Sequence, residues 1–446
     1  ITMKEIELRT GIWHDDHFVR LTFPDSWDVI THWPNTPPRL TDNQITERIN
    51  YPIGQAPLRD LAKGTKYPVI VVDDLARPTP VSRIMPFLLK EFEIAGIQPH
   101  GIRVLVATGT HGHQDPLALA NKIGPTAYER CRVIVHDDLK NSDFIGTTSF
   151  GTPVYVNAEL RKADLIIGVG GVYPQHTTGF GGGSKLILGV LGRKSIRTLH
   201  FRHKGVGGTY NIDNDFRRDV TEIASLVGLN TMYTMHINDR LEVVSLMCGD
   251  HFKYYPEAAE FSKSRYTAPL PDDADVVIVN AFPSDVSYTF VRKAMKPIRC
   301  APQGAMKIVI GSMYEGIGSH GLFQQGLSER ARAYKALYNR VRVMQPRVIL
   351  QKIIKNVFFR RQPPVQSKND VPVDPTVEPM WLYRPEGAVA PIQVLDGVLI
   401  VRAWEVILKA IHDRYPGNNP VRVRIYPCGS LQCLDTPAVQ DQAAGD

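Results

Sequence analysis

A glycine-rich segment near the middle of the chain holds the residues with the clearest chemical potential. The segment Gly170–Lys185 reads GGVYPQHTTGFGGGSK, so it contains His176, Lys185 and a glycine cluster that includes Gly181, Gly182 and Gly183. Such glycines let backbone N–H groups approach a phosphate or another anion, and a nearby lysine can anchor that anion or act as a nucleophile. The spacing is neither that of a P-loop nor that of a Rossmann fingerprint. We predict an anion site; the alternative is a flexible surface turn.

Two shorter motifs carry groups suited to carboxylate binding and proton transfer. Residues 73–80 read DDLARPTP and bring Asp74 close to Arg77, while residues 109–113 read GTHGH and contain His111. An arginine can grip a carboxylate with two hydrogen bonds, and a histidine can take and give a proton near neutral pH. The alternatives are a helix cap with a local ion pair and a loop histidine whose hydrogen bonds are satisfied locally.

A third group of residues suggests a metal ligand. The stretch RTLHFRH places His200 and His203 near one helix face, so metal binding is possible, although an exposed pair on a basic helix is the alternative. Further along, Arg292, Lys293 and Lys296 follow a strand, and their alternative is a solvated helix face. The sequence has no serine nucleophile elbow, HExxH motif or zinc-type cysteine cluster.

Apolar strands that alternate with helices must position these side chains. Four predicted strands lie at residues 67–72, 102–107, 132–135 and 164–169, and each is followed by polar residues. Alternation of this kind predicts a mostly parallel sheet that helices cover on both faces. Ligands of parallel sheets bind outside the carboxyl ends of the strands, which is where Asp74, His111, His136 and His176 fall.

A second block with the same pattern follows residues 269–271. Its predicted strands lie at 275–280, 306–310, 397–401 and 421–426. We therefore predict an α/β fold of two domains with mostly parallel sheets covered by helices, with the active site in the cleft between them. The predicted domains are residues 1–268 and 269–446, and the last segment is expected to pack back on the first domain.

Composition narrows the class of protein. The 446 residues include 52 Lys+Arg and 45 Asp+Glu, which gives a net charge of +7, and 43% of them are hydrophobic. This composition excludes disorder for most of the chain. Five cysteines without a CxxC pair, no apolar run of about 18 residues and no secretion signal favour a cytoplasmic protein without a membrane span. The basic stretch 340–361 is interpreted as an amphipathic helix, so no nucleic-acid partner is expected; residues 361–378 are interpreted as an exposed connector.

Together these motifs resemble the lactate racemase family, the nickel-pincer-nucleotide enzymes that racemise or epimerise 2-hydroxy acids. The resemblance covers residues 71–318. It rests on four segments in the family's order and a looser fifth one, at residues 74–77, 109–111, 176–185, 189–200 and 282–293. The combination is specific, whereas no single segment would be.

The resemblance implies a role for each candidate residue. His111 and His176 would be the paired acid/base groups, and His200 would be the protein ligand of nickel. Lys185 would hold the cofactor, a nickel-bearing pyridinium-3-thioamide-5-thiocarboxylic acid mononucleotide, near Asp74 and the three glycines at positions 181, 182 and 183. Arg77, Lys293 and the residue at Phe290 would bind a small-molecule 2-hydroxy acid. Enzymes of cofactor biosynthesis would be needed to load the protein.

The implied mechanism passes a hydride to the pyridinium ring and back. A histidine removes the hydroxyl proton, a planar 2-oxo acid forms, and the hydride returns to either face. Two departures from the family bear on this expectation. Counted back from Lys185 without a gap, the second histidine falls on Gln175, and Phe290 replaces a substrate-binding glutamine. The second departure favours a longer aliphatic or aromatic substrate over lactate.

Two other functions remain open from the sequence. One is a nucleotide- or phosphate-binding oxidoreductase or hydrolase on the same scaffold. The other is a non-catalytic anion-binding protein.

Overall fold

The computed structural model describes residues 2–14, 17–322, 379–384, 397–417 and 419–435. The basic stretch predicted at 340–361 and the connector predicted at 361–378 lie outside the described residues. Within the described part of the chain, no helix is both long enough and apolar enough to cross a membrane.

The described strands, in chain order, are β1 (Met3–Thr10), β2 (His17–Pro24), β3 (Asp28–Thr31), β4 (Pro68–Asp73), β5 (Arg103–Ala107), β6 (Arg132–Val135), β7 (Ser142–Thr147), β8 (Pro153–Asn157), β9 (Leu165–Gly171), β10 (Pro174–Gln175), β11 (Gly179–Phe180), β12 (Thr231–Ile237), β13 (Val243–Gly249), β14 (Thr267–Ala268), β15 (Val276–Asn280), β16 (Met306–Ile310), β17 (Met380–Tyr383), β18 (Val398–Val401), β19 (Arg422–Tyr426) and β20 (Cys433–Leu434). The described helices are α1 (Asp42–Asn50), α2 (Leu58–Leu61), α3 (Met85–Ile94), α4 (Pro116–Ile123), α5 (Pro125–Arg130), α6 (Ala158–Lys162), α7 (Arg193–Arg202), α8 (Asp215–Val227), α9 (His251–Tyr266), α10 (Tyr288–Val291), α11 (Lys296–Arg299) and α12 (Trp404–Arg414). Short 3-10 helices lie at Val81–Arg83, Pro99–Gly101, Gly183–Val190 and Arg292–Ala294.

The first sheet has six strands in the order β13-β12-β9-β4-β5-β6. All its neighbours run parallel except the β12–β13 pair. Strand β4 has the sequence PVIVVD and is buried along its whole length. Its side chains alternate between two cores, because Ile70 and Val72 pack with α1–α5 while Val69 and Val71 pack with α7–α9. Burial on both faces is typical of parallel sheets, and it confirms the predicted α/β class.

The second sheet also has six strands, in the order β18-β17-β16-β15-β19-β3, and all of its strand pairs are parallel. Strand β3 comes from the amino-terminal region, and the β1–β2 hairpin packs on the same sheet through Leu8, Leu21 and Phe23. The predicted first domain of residues 1–268 is therefore wrong for its first strands. The pairing of β3 with β19 joins segments almost 400 residues apart, as the Arg424–Asp28 contact illustrates, and a local sequence pattern cannot reveal it.

The carboxyl-terminal segment and the amino-terminal segment both tie the two sheets together. Strand β20 pairs with β14, and Leu431 packs against Tyr173 and Ile237 of the first domain. At the other end of the chain, the Asp285 carboxylate accepts hydrogen bonds from the backbone N–H groups of Gly11 at 2.7 Å and Ser312 at 3.1 Å. In the same amino-terminal segment, the indole N–H of Trp13 donates to the Leu75 carbonyl at 2.9 Å, so this segment links the second sheet to the turn after β4.

Candidate active site

A buried lysine makes several contacts with the turn after β4. Lys122 is fully buried, and its Nζ lies 2.8 Å from the Asp73 carboxylate. The same amine donates to the carbonyl oxygens of Arg77 at 2.7 Å and Thr79 at 3.0 Å. The Thr79 hydroxyl in turn donates to Asp73 at 2.5 Å. This network holds the backbone that carries Asp74 and Arg77.

Replacing Lys122 with methionine is expected to lower the free energy of unfolding by about 3–5 kcal/mol, because the Asp73 charge would be left buried without its partner. Urea denaturation of the purified protein measures this change. The matched control is Lys63→Met, since Lys63 forms an exposed ion pair with Asp60 at 2.7 Å and exposed pairs contribute little. Equal losses for the two variants would contradict the assigned role of Lys122.

The two motifs after β4 and β5 meet in a histidine–carboxylate pair. The Nδ1 of His111 donates to the Asp74 carboxylate at 2.5 Å, and Asp74 is almost completely buried. A carboxylate in this position fixes the ring orientation, keeps the proton on Nδ1 and presents Nε2 as a base. Asp74 therefore partners the predicted acid/base histidine, while its predicted role beside a cofactor stays a prediction.

The surroundings of the pair keep the imidazole neutral and the carboxylate ionised. Burial lowers the pKa of His111 below its ordinary value, and Arg77 and Lys293 lower it further, against the opposing effect of Asp74. Burial alone would raise the pKa of Asp74, but His111, Arg77 and Lys293 hold that pKa below its ordinary value. A neutral imidazole is the form that can accept a proton.

The second domain contributes an aromatic ring and a lysine to the same site. The Phe290 ring on α10 packs edge-to-face against His111 with ring centroids 4.8 Å apart. The Nζ of Lys293 lies 4.7 Å from the centre of the Phe290 ring and donates to the Ala76 carbonyl at 3.0 Å. The predicted substrate-binding residues Arg77, Lys293 and Phe290 therefore lie around His111, at the contact between the two domains.

Lys185 is a buried amine at the start of the 3-10 helix Gly183–Val190. Among the described residues, its Nζ has no hydrogen bond or ion pair, and only 9% of the residue is exposed. Burial and the positive charges of Arg77 and Arg217 lower its pKa well below the ordinary value. A lowered pKa raises the fraction of the amine that is deprotonated at a given pH, which is the nucleophilic form.

Two of the three consecutive glycines are required by close packing. A Cβ on Gly182 would lie 2.6 Å from the Gly171 carbonyl oxygen, and one on Gly183 would lie 2.6 Å from the Tyr255 ring. Both residues also have positive φ, at 75° and 56°, where glycine is favoured. A Cβ on Gly181 would meet nothing closer than 3.7 Å. The predicted anion-binding role of these glycines stays a prediction, because packing alone explains two of them.

The two histidines of the RTLHFRH stretch have different partners. The Nδ1 of His200 donates to the Ile196 carbonyl at 2.8 Å, which leaves the lone pair on Nε2, the tautomer that a metal ligand needs. Burial, together with Lys185 and two histidines, lowers the pKa of His200 to about 4. His203 instead donates to the buried Asp219 at 2.7 Å, so it is structural. No group of three or more metal-ligating side chains is found in the described part of the chain.

His176 lies at the rim of the site, directly after β10, with its side chain exposed. Desolvation and the charges of Lys185 and Arg299 lower its pKa to about 4, although water screens part of that effect at an exposed imidazole. His136, which also follows a strand, is buried and makes hydrogen bonds to Leu191 and Asn157, so it is structural.

Three residues near the site were missed by sequence reasoning. Lys122 is described above; His320 lies against His111 with ring centroids 5.1 Å apart. Glu315 is partly buried near Asp74, and burial and the Asp74 charge raise its pKa to about 7. None of the three follows a strand directly, and each comes from a helix or loop without a motif. No local signal in the sequence distinguishes them from ordinary surface residues.

The fold and the site together define a class of protein: a two-domain α/β protein whose interdomain cleft holds a histidine–aspartate pair among several cations. Comparison with known proteins shows which family this class of protein is similar to. Residues 14–207 match the model of the lactate racemase N-terminal domain. Over 296 residues the chain is 27% identical to the lactate racemase of Thermoanaerobacterium thermosaccharolyticum, covering 64% of this chain and 69% of that protein.

The lactate racemase of Lactiplantibacillus plantarum is 26% identical over 296 residues, with the same coverage of 64% and 69%. The solved lactate racemase apoprotein of T. thermosaccharolyticum has a TM-score of 0.64 at 20% identity and covers 97% of this chain and 100% of that chain, which supports the fold. The amino-terminal part of the chain is therefore similar to the lactate racemase family, and its fold is that of the solved apoprotein.

Proposed function

We propose that the protein is a racemase or epimerase of a 2-hydroxy acid that works with a nickel-pincer nucleotide. The observation that carries this proposal is the contact of a neutral His111 with the ionised Asp74 at 2.5 Å, enclosed by residues of both domains. A site that only binds an anion has no need of a base oriented by a buried carboxylate. A family relationship to lactate racemases supports the same reaction class.

Mutual repulsion among the site's cations supports an anionic ligand. Burial lowers the pKa of both Lys185 and Lys293, and Arg77 lowers both further. Lys185 also lowers the pKa of Lys293, against the opposing effect of Asp74. A carboxylate bound among these groups relieves the repulsion and favours the charged form of Lys293. In the proposed enzyme, Arg77 and Lys293 hold the substrate carboxylate and orient the hydroxyl group toward His111.

His111 takes the hydroxyl proton on Nε2 and later returns it. Asp74 stabilises the imidazolium that forms, since its carboxylate accepts the hydrogen bond from Nδ1–H throughout. Inversion needs a second base on the opposite face, and we assign that role to His176. Its loop carries an exposed, predominantly neutral imidazole at neutral pH, which leaves it able to accept a proton.

The residues around Lys185 fit the proposed cofactor. The buried Lys185 amine, whose pKa is lowered, suits a thioamide link, and Nε2 of His200 suits a nickel ion. The Gly181–Gly183 turn lies at the start of the helix that carries Lys185. A single protein ligand is enough where the cofactor supplies the others. When bound, this cofactor supplies an acceptor for the hydride of the substrate α-carbon.

Phe290 directs the proposed site toward 2-hydroxy acids with an apolar side chain. The ring is buried against His111 and Lys293, so it offers apolar surface and no hydrogen bond to a substrate. Phe290→Gln is expected to shift the ratio of kcat/KM values for 2-hydroxyisocaproate and lactate toward lactate by about tenfold or more. Phe290→Leu is the matched control, because it keeps the apolar surface and should keep the preference. An unchanged ratio in Phe290→Gln would remove Phe290 from the specificity assignment.

The proposal is tested on protein co-expressed with the enzymes that make the nickel-pincer nucleotide. Nickel per chain is measured, and a panel of enantiopure 2-hydroxy acids is incubated and analysed by chiral chromatography. We expect near-stoichiometric nickel and racemisation of at least one acid. The lactate racemase of T. thermosaccharolyticum, loaded in parallel, is the positive control. Neither nickel nor racemisation in this protein, with an active control, would overturn the proposal, and copurified NAD would point to an oxidoreductase.

A further inference from the structure

A segment of the second domain lies directly along the turn that carries His111. The backbone N–H of Gly321 donates to the Thr110 carbonyl at 2.7 Å, and His111 and His320 pair as an isolated antiparallel bridge. A Cβ on Gly112 would lie 2.0 Å from the Ser319 hydroxyl oxygen and 3.3 Å from its Cβ, so the two segments approach closely here. The segment that follows β16 in the second domain therefore packs along the turn that carries His111.

The His320 imidazole is fixed in place by this pairing. Its Nδ1 accepts the backbone N–H of Leu322 at 3.3 Å, and the Thr110 hydroxyl lies 3.3 Å from the same nitrogen. The ring packs edge-to-face on His111, with centroids 5.1 Å apart and an interplanar angle of 65°. This geometry orients His320 independently of any bound ligand.

We propose that His320 is a positioning residue that fixes the orientation of His111 and excludes water from it. This inference rests on the proposed function, in which His111 is the acid/base group. Three contacts then enclose the His111 ring: the Asp74 carboxylate on Nδ1, the Phe290 ring and the His320 ring. Two of the three contacts come from the second domain, so the His111 ring is enclosed only when the domains are in contact.

The spacing of the rings excludes His320 as the base of the opposite substrate face. Centroids 5.1 Å apart are within the range of rings in direct contact, about 4.5–7 Å. No substrate carbon fits between rings that touch. His320 therefore acts on His111 and not on the substrate, which leaves the assignment of His176 unchanged.

Removing the His320 ring is expected to admit water to His111. The charged groups that face His111 are Asp74 from the first domain, Arg77 from the same turn and Lys293 from the second domain. These groups remain in the His320→Ala variant, so only the burial of His111 changes. Burial is the largest influence on the pKa of His111. The pKa of His111 should rise toward its ordinary value, and the acid limb of the kcat profile should move to higher pH.

Kinetics and NMR test the inference together. In the loaded enzyme, His320→Ala should lower kcat by about 10- to 100-fold with little change in KM, as expected for a misplaced catalytic group, and His320→Phe should restore most of kcat by restoring the ring. In nickel-free protein, an NMR titration should show the raised pKa of His111 in His320→Ala. The exposed His100 provides the control, since His100→Ala should change neither value.

Each outcome of these measurements has a defined meaning. A wild-type kcat and an unchanged His111 titration in a folded His320→Ala protein would overturn the positioning role. A loss of kcat that His320→Phe does not reduce, with no change in the titration, would also overturn it. If the wild-type protein racemises no 2-hydroxy acid but the titration shift is present, the proposed function fails while the positioning of His111 stands.

Discussion

Replacing His111 with glutamine is expected to lower kcat of the loaded enzyme by about 10²–10⁴-fold, the usual contribution of general acid–base catalysis. Glutamine has similar polarity but no basic nitrogen, so it cannot take the hydroxyl proton. The site supports a large effect because the imidazole is neutral, buried and oriented by Asp74 at 2.5 Å. The measurement is the rate of racemisation of the best substrate, with nickel content determined on the same sample.

The Asp74–His111 contact offers a second, independent check of this result. Because Asp74 acts through His111, adding Asp74→Asn to His111→Gln should cause little further loss, although Asp74→Asn alone should be strongly impaired. Additive losses would show that Asp74 serves the reaction separately, for example beside the cofactor. A His111→Gln enzyme with wild-type kcat and normal nickel would rule out His111 as the acid/base group.

Replacing Lys185 with alanine is expected to abolish the covalent adduct and to lower the nickel retained after gel filtration to background. The reason is the buried amine, which has no partner among the described residues and a pKa far below its ordinary value. Arginine at this position should also fail, because a guanidinium remains charged and is not a nucleophile. Peptide mass mapping of residues around Lys185 and metal analysis measure the two effects.

Lys194 provides the matched control for this experiment. It lies on α7 close in sequence to Lys185, but its side chain is exposed and contacts Tyr155. Lys194→Ala should therefore retain both adduct and nickel. Stoichiometric nickel without any adduct in the wild-type protein would make the attachment non-covalent, and full nickel retention in Lys185→Ala would show that Lys185 does not hold the cofactor.

Local patterns in the sequence were sufficient to find the strands and the turns that follow them. Residues 67–72 and 102–107 were predicted as strands, and the structure has them as β4 and β5, shifted by about one residue. Because strand formation here follows from a short run of buried β-branched residues, it depends little on distant parts of the chain. The positions of Asp74, Arg77 and His111 at one edge of the sheet follow from parallel topology alone.

Long-range pairing decided the features that the sequence did not predict. The amino-terminal strands joined the second sheet, and His203, predicted as a possible metal ligand, instead pairs with Asp219. The close packing of Gly182 against Gly171 and of Gly183 against Tyr255 was also not predicted. Each of these outcomes depends on which side chains meet after the domains pack, and periodicity in the sequence carries no information about that.

The sequence by itself determined the reactive residue types, the strands that end beside them and the α/β class, because these depend on neighbours along the chain. Only the tertiary structure decided which partners give those residues their properties. Asp74 meets His111, Lys122 meets Asp73, and Thr110 meets His320 across 210 residues of sequence. The pKa of a buried group depends on desolvation and on charges a few ångströms away, so the chemistry of this site is set by the packing of the two domains.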